Sequence, residues 1–200
     1  MNSVFSRLRL YFISILAMAV LAGCENKPVA FHGVDINGSS YGQNWTLTDQ
    51  NGQKRQPGDF KGHLQLVYFG FTQCPEVCPA ALQKMKSAYE LIPEAVRASK
   101  PIDILFITVD PSTDTVALLK SYLQPFGSTV IGLTGTQEEV EKAAQDFKVY
   151  AQRAKQTAMF EHSGFIYALD SQGRARLLFA PETPAQEISE DLRRLIAEPS

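Results

Sequence analysis

Two cysteines between a strand and a helix constrain this chain more than any other feature. Cys74 and Cys78 follow the apolar run 64–69, which predicts a buried β-strand, and precede segment 80–85, which predicts the start of a helix. Thiols four residues apart share one face if the turn between them is helical. They can hold a soft metal ion, or they can cycle between dithiol and disulfide.

Strands and helices alternate through most of the chain. A short hairpin is predicted first, from alternation at 45–48 and turn residues at 49–52. The elements predicted after it are strand 65–69, helix 78–91, strand 102–109, helix 112–126, strand 129–133, helix 136–147, strands 165–169 and 175–179, and a last helix to about 197. This order favours an α/β fold with βαβ units around a central mixed sheet flanked by helices. The closing hairpin and C-terminal helix resemble the thioredoxin fold, with the first hairpin as an N-terminal extension.

The first 23 residues have the features of an export signal. Arg7 and Arg9 precede the uncharged apolar run 10–22, which is short for a membrane span. Leu-Ala-Gly-Cys at 21–24 resembles the lipobox of bacterial lipoproteins, which implies cleavage before Cys24 and attachment of lipid to its thiol. An uncleaved anchor helix is the alternative. Either interpretation places the rest of the chain in the cell envelope, tethered to a membrane and facing the periplasm or the outside.

We therefore predict a lipoprotein signal peptide at 1–23, a lipidated tether at 24–44 and one folded domain at 45–198. The chain has three cysteines, so lipidation of Cys24 leaves a single pair in the domain. Removal of two arginines with the signal changes the net charge from −2 to −4. This mildly negative charge gives no electrostatic footprint for nucleic acid.

A histidine stands just before the predicted closing hairpin. In a thioredoxin-like fold the loop at this position faces the cysteine turn, and ordinary thioredoxins place a cis-proline in it. This chain has no proline in 158–164 and has His162 instead. Two thiolates and one imidazole form a soft ligand set that suits copper. The N-terminus of the predicted helix would favour thiolate over thiol at the cysteines.

Three segments carry a resemblance to a known family. They are Phe-Gly-Phe-Thr-Gln-Cys-Pro-Glu-Val-Cys-Pro at 69–79, Ile-Thr-Val-Asp-Pro at 107–111 with Asp114 and Thr115, and Glu-His-Ser at 161–163. Over roughly residues 45–197 the chain resembles the Sco/SenC family of copper-binding, thioredoxin-fold proteins.

The resemblance implies a function and a set of ligands. It implies copper, Cu(I) or Cu(II), bound by Cys74, Cys78 and His162. It also implies a metallochaperone for the binuclear copper centre of cytochrome c oxidase, with a copper-receiving oxidase subunit as partner. Some relatives act as thiol-disulfide reductases that keep the cysteines of that centre reduced, so other thiol-disulfide or copper-carrier partners fit as well.

Two positions depart from the family pattern. Gln73 stands where histidine is common, and Glu161 stands where aspartate commonly precedes the ligand histidine. Neither is a proposed ligand, so the departures bear on affinity and partner choice. Glu161 is still placed to act as an outer carboxylate beside the ligand histidine.

Other interpretations of the cysteine pair remain open. As a reductase, the protein would use Cys74 as the attacking and Cys78 as the resolving thiol. A metallochaperone is not an enzyme, so thiol-disulfide exchange is the alternative under which the chain would be one. The pair could also form an inert disulfide, or an open tetrahedral zinc site with His162 and water. A peroxiredoxin is disfavoured, because residues 70–73 lack the proline and threonine spacing of that active site.

The remaining candidates have weaker signals. His32 in the tether and His63 at the start of a strand are expected to be bystanders. Asp110 ends a predicted central strand, where it would either contact a partner or cap the next helix. Three phenylalanines are expected in the core or in the wall of the site: Phe69, Phe71 and Phe160.

Overall fold

A central sheet with helices packed around it organises the protein. The computed structural model describes residues 30–153 and 160–198, and of residues 152–153 and 160–162 it describes the backbone. The strands are β1 (Val34–Asp35), β2 (Leu47–Asp49), β3 (Lys54–Arg55), β4 (Leu64–Gly70), β5 (Ile102–Thr108), β6 (Val130–Thr134), β7 (Ala151–Arg153), β8 (Phe160–His162), β9 (Ile166–Leu169) and β10 (Ala175–Phe179). The helices are α1 (Val77–Glu90), α2 (Glu94–Ser99), α3 (Val116–Leu123), α4 (Gln137–Asp146) and α5 (Ala185–Ala197).

The predicted mixed sheet flanked by helices is confirmed. Eight strands pair in the order β1-β10-β9-β4-β5-β6-β2-β3, with β4, β5 and β6 parallel to one another at the centre. Every residue of β4 is buried, because helices and loops cover both faces of the sheet there. The predicted N-terminal hairpin is also present as β2 and β3, and it joins the main sheet through β6.

The register of the sheet defines one end that matters for function. Phe179, Ile166, Tyr68 and Phe106 stand in one row across β10, β9, β4 and β5. At or just after this row β4, β5 and β10 end, and β9 begins, so the row marks one edge of the sheet. We call this edge the cysteine end, because the segment with both cysteines leaves β4 there.

The folded part begins earlier than the predicted boundary at residue 45. Val34 and Asp35 form β1 and pair with β10 at the edge of the sheet. Tyr41 stacks edge-on against Tyr167, and Gly42 lies against the ring of Phe147. The segment 31–44 is therefore not a free tether, and its interpretation as one is wrong for this part.

The remaining N-terminal predictions lie outside the described residues. These are the signal peptide at 1–23, lipidation of Cys24 and the tether up to residue 29. Within the described ranges, no helix combines the length and the apolar character that crossing a membrane requires.

Several local predictions differ from the structure. Helix α3 begins at Val116, after a turn, and Thr115 caps it by accepting the N–H of Leu118. Pro184 is the N-cap residue of α5 and not its first helical residue, because its ψ of 149° is extended. Helix α2 and the two-stranded ribbon of β7 and β8 were not predicted.

Candidate metal centre

The two cysteines lie together at the start of α1. Cys74 is in the loop after β4, and Cys78 is the second residue of the helix. The backbone N–H of Cys78 donates to the Cys74 sulfur over 3.3 Å, and the N–H of Cys74 closes a turn on the carbonyl of Phe71. Neither cysteine is in a disulfide, and both are buried, with 7% of Cys74 and 0% of Cys78 exposed. The turn thus holds the Cys74 sulfur against the backbone of Cys78, with both side chains beneath the surface.

Aromatic side chains surround the deeper sulfur. The Tyr68 hydroxyl donates to Cys78 Sγ at 4.0 Å, and the ring of Tyr68 packs against that of Phe106, which packs against Tyr122. Burial raises the pKa of the Cys78 thiol to about 12, with a smaller opposing contribution from a backbone hydrogen bond of Phe71. The expected shift toward thiolate at the helix N-terminus is therefore wrong for Cys78, because burial raises the pKa of this thiol.

Gly70 makes room for the Cys78 sulfur. A Cβ at this position would lie 3.0 Å from Cys78 Sγ, 3.0 Å from the Tyr68 ring and 2.8 Å from the Phe106 ring. These groups are fully buried and cannot move aside easily. The last residue of β4 must therefore lack a side chain for the cysteine to occupy its position.

One aromatic residue of β4 that contacts the deeper sulfur was not singled out from the sequence. Phe69 and Phe71 are buried in the core, as predicted. Phe69 packs against Phe147, and the backbone of Phe71 forms a hydrogen bond with the Cys78 thiol. The aromatic side chain that contacts the sulfur is Tyr68. The strand period could have found it, since Tyr68 and Gly70 point to the same face. The side chain of Phe160 lies outside the described part.

A buried carboxylate holds the loop that leads to the cysteines. Asp114 is fully buried, and it accepts hydrogen bonds from the backbone N–H and the hydroxyl of Thr72 and from the hydroxyl of Thr108. Burial raises the pKa of Asp114, although these three donors oppose the shift. In the sequence, Asp114 stands out only as part of a motif, and the pattern indicates no role for it.

Asp110 does not cap the following helix. Its side chain accepts the Ser112 hydroxyl at 2.5 Å, and its backbone N–H donates to the Thr108 hydroxyl. Thr115 is the residue that caps α3, so the capping interpretation of Asp110 is wrong. A contact with a partner remains a prediction, and a cleft of about 430 Å³ opens beside this residue, between the end of β5 and α4.

The third predicted ligand is placed by its backbone alone. His162 is opposite Ala151 in the ribbon of β7 and β8, four residues before Ile166 in the row that contains Tyr68. The chain between them therefore runs at the cysteine end of the sheet, as expected. The side chains of His162 and Glu161 lie outside the described part, and the ligand set of Cys74, Cys78 and His162 remains a prediction. Among the described side chains, no three His, Cys, Asp or Glu residues form a group that could hold a metal.

The other two histidines pair with carboxylates away from the cysteines. Nδ1 of His63 lies 2.8 Å from Asp103, at the opposite end of β4. Nε2 of His32 lies 3.0 Å from Glu190 of α5. Both contacts agree with their interpretation as bystanders.

Comparison with known sequences places these features in one family. The sequence model of the SCO1/SenC family matches residues 34–197. A SCO2-like protein of Rickettsia felis is 38% identical over 159 residues, which cover 76% of this chain and 75% of the relative.

Solved structures agree with this match. The copper-bound ScoI of Bradyrhizobium japonicum is 33% identical and has a TM-score of 0.69, with 78% of this chain and 99% of that chain covered. A SCO1/SenC family lipoprotein of Bacillus anthracis is 25% identical and has a TM-score of 0.70, with 83% and 99% covered. These neighbours have a thioredoxin-like fold, so the predicted fold class is confirmed.

Proposed function

This chain belongs to the SCO1/SenC family, and we propose that it is a membrane-tethered metallochaperone that supplies copper to cytochrome c oxidase. The observation that carries the proposal is the pair of buried thiols at the start of α1, joined by the hydrogen bond from Cys78 N–H to the Cys74 sulfur. The copper-bound relative from Bradyrhizobium japonicum supports copper as the metal. The lipoprotein relative from Bacillus anthracis supports attachment to a membrane through Cys24.

Copper is the cargo of this site. Cu(I) is a soft ion that prefers thiolate ligands, and the thiolates of Cys74 and Cys78 with the imidazole of His162 would hold it. Each thiol must lose its proton to solvent when copper binds. The rings of Tyr68 and Phe106 keep water from the deeper sulfur, which favours a bound cation over an isolated buried thiolate.

Release would proceed by ligand exchange. Cys74 is the more exposed of the two cysteines, so a thiolate of the acceptor can reach copper on that side first. As the acceptor takes over the ion, Cys74 and Cys78 regain their protons, and copper keeps its oxidation state. The proposed acceptor is the oxidase subunit that contains the binuclear copper centre.

The test compares two histidine variants. His162→Ala should weaken copper binding and abolish the thiolate-to-copper absorption of the Cu(II) form, while His63→Ala, whose side chain is bonded to Asp103 at the other end of β4, should change neither. Affinity is measured under anaerobic conditions by competition with a chromophoric chelator. Copper affinity and absorption unchanged in His162→Ala would exclude the three-ligand site.

Reductase activity is the second candidate, and one contact favours it. The N–H of Cys78 donates to the Cys74 sulfur and stabilises negative charge there, which suits an attacking thiolate. Cys74 would attack a partner disulfide and release one partner thiolate, and Cys78 would then displace the second and close a Cys74–Cys78 disulfide. Two electrons pass from the dithiol to the partner.

A trapping experiment separates the two candidates. In a Cys78→Ser variant the mixed disulfide on Cys74 cannot be resolved, so a reductase should accumulate a covalent complex with an oxidase subunit. A Cys74→Ser variant is the matched control and should trap nothing. Absence of a complex in both variants would rule out the reductase and leave the copper proposal intact.

A further inference from the structure

The N-terminal segment joins the domain at the cysteine end of the sheet. Val34 pairs with Leu178, one residue before Phe179 in the row that contains Tyr68. Because β1 runs antiparallel to β10, the residues before Val34 lie further toward the end where the cysteine loop leaves β4. From β1 to β4 there are three strand spacings, a lateral distance of about 14 Å.

This attachment is fixed by specific contacts. One carboxylate oxygen of Asp191, a fully buried residue of α5, accepts the backbone N–H groups of His32 and Gly33 at 2.8 and 2.9 Å. Gly33 lies so close to the ring of Phe179 that a Cβ would be 2.7 Å from it. The chain therefore leaves the domain in a defined place, beside the first turns of α5.

The chain length before this place limits how far the domain can be from a lipid on Cys24. Six residues, 25–30, separate Cys24 from Phe31. Even fully extended, these seven residue-to-residue steps span at most about 25 Å. The opposite end of the domain is not the end where the link to Cys24 enters. The C-terminal helix α5 ends there, and Glu198 pairs with Arg176 near the start of β10.

The surface at the cysteine end suits a protein partner. Val77, beside Cys78, is 56% exposed, and Tyr150, whose carbonyl accepts the N–H of Ser163 just after His162, is 57% exposed. Apolar side chains around a metal site are typical of a docking surface. Glu187 and Glu190 flank His32 where the chain enters, and their negative charges disfavour adhesion of this surface to anionic lipid.

We propose that the cysteine end of the domain faces the membrane and docks there on the extramembrane part of an integral membrane protein. This inference rests on the proposed membrane attachment at Cys24. The inference goes beyond that attachment because it assigns the polarity of the domain, by which we mean the end of the sheet that faces the membrane. It also places the acceptor thiolates of the partner close to the membrane surface and not out in the solvent. A soluble acceptor would have no need of this arrangement.

The polarity is tested first by measuring distances to the membrane. The lipidated chain is placed in phosphatidylethanolamine and phosphatidylglycerol vesicles with a fluorescent headgroup acceptor. A donor is attached through a ketone-bearing amino acid in place of Glu182, in the loop after β10, or of Gln172, in the loop before it; both side chains are exposed. The five residues of β10 separate these loops by about 17 Å, so energy transfer should be stronger from position 182. Equal transfer, or stronger transfer from position 172, would overturn the proposal.

Moving the anchor tests the function of this polarity. Two versions of the protein are compared in cells. The first is the native chain with its anchor at Cys24. In the second, Cys24→Ser removes the lipid site and a transmembrane helix is fused after residue 200, next to the far end of the domain. Helix α5 runs from the cysteine end to the far end over 13 residues, about 20 Å, so this version turns the site away from the membrane. Copper affinity should stay unchanged while oxidase activity of the cells falls at least tenfold. Equal oxidase activity with both anchors would overturn the proposal.

Two further readouts separate this inference from the proposed function. Mass spectrometry of the N-terminal peptide shows directly whether Cys24 carries lipid. A Cys24 without lipid would overturn the attachment at this residue, and with it the polarity that rests on it. Copper titration of the full chain in detergent tests the metal site alone. A lipidated, copper-binding protein with reversed polarity would overturn only the inference.

Discussion

The Thr72 hydroxyl donates a 2.5 Å hydrogen bond to Asp114, and the backbone N–H of the same threonine donates to the other carboxylate oxygen at 3.0 Å. Thr72 lies two residues before Cys74, while Asp114 lies beyond the end of the neighbouring strand β5. The hydroxyl of Thr108, the last residue of β5, donates a third hydrogen bond to the same carboxylate and so connects it to the sheet. The cysteine loop is thus held to the sheet before any metal binds, which lowers the entropic cost of assembling the site.

Removing this carboxylate should loosen the loop. Asp114→Ala leaves the N–H and hydroxyl of Thr72 without their acceptor, and we expect a loss of about 2 kcal/mol in the free energy of unfolding. Alkylation of Cys74 should become faster and copper affinity should fall. Asp114→Asn should restore most of each property, since the amide oxygen can accept two of the bonds and the amide nitrogen can donate to the Thr72 hydroxyl.

The Asp114→Asn variant also removes a buried negative charge. Such a charge is costly in the core, as the raised pKa of Asp114 indicates. Denaturant unfolding, the rate of alkylation and copper competition measure the three effects. The exposed residue Asp35, which accepts one N–H from Asn37, provides the control variant Asp35→Ala. If Asp114→Ala behaved like this control, the loop would not depend on the carboxylate.

A side chain at Gly70 should displace the Cys78 sulfur. Gly70→Ala places a methyl group within 3.0 Å of Cys78 Sγ and of two buried rings, and overpacking of this kind costs about 1–3 kcal/mol. Copper affinity should fall with it, because the sulfur moves. Gly58→Ala is the matched control, since nothing lies within 4 Å of a Cβ there, and we expect a change in stability within about 0.5 kcal/mol. Thermal unfolding and copper competition on both variants provide the comparison; equal copper affinities would contradict the predicted role of Gly70.

Local patterns explain which parts of the fold were predictable. Strands β4 and β5 appear as apolar runs because both faces of each are covered. The start of α4 was predicted from a capping box, and both of its hydrogen bonds, between Thr136 and Glu139, are present. Helix α2 has no buried residue and therefore no apolar period that could reveal it.

Contacts between distant residues were not predictable in the same way. The N-terminal segment appeared as a tether because the group that fixes it, Asp191, lies 159 residues after His32. The cysteines could be paired from their spacing, but Thr72 and Asp114 are 42 residues apart and no short pattern links them. The pKa of Cys78 was predicted wrongly for a different reason. The sequence shows that this residue lies at the start of a helix, which favours thiolate, but it does not show how deeply the thiol is buried, which favours the protonated form.

Burial of the Cys78 thiol predicts a specific loss of stability at alkaline pH. An unfolded cysteine has a pKa of about 8.5, while burial raises the pKa of Cys78 in the metal-free fold to about 12. Between these values the unfolded chain has lost the proton and the folded chain retains it, so stability falls as pH rises, by up to about 1.4 kcal/mol per pH unit.

The comparison is with Cys78→Ala, which lacks this group. Buried tyrosines such as Tyr167, whose pKa burial raises to about 12, titrate in both proteins, so only the difference between them reports on Cys78. Unfolding is followed by denaturant titration from pH 8 to 11 with reductant and chelator present. Parallel pH profiles for the two proteins would show that the thiol is not held protonated by the fold.

Copper uptake should therefore release protons. At neutral pH the Cys78 thiol is protonated in the metal-free fold, because its pKa is raised by burial, and it must become a thiolate to bind Cu(I). We expect at least one proton released per copper near pH 7, and an apparent affinity that rises about tenfold per pH unit for each proton released. Anaerobic titration in weakly buffered solution with a pH indicator counts the protons, and competition at several pH values gives the slope. The Cys78→Ser variant should release fewer protons than the native chain; an affinity of the native protein that did not change with pH would contradict ligation by a thiol that is protonated in the metal-free fold.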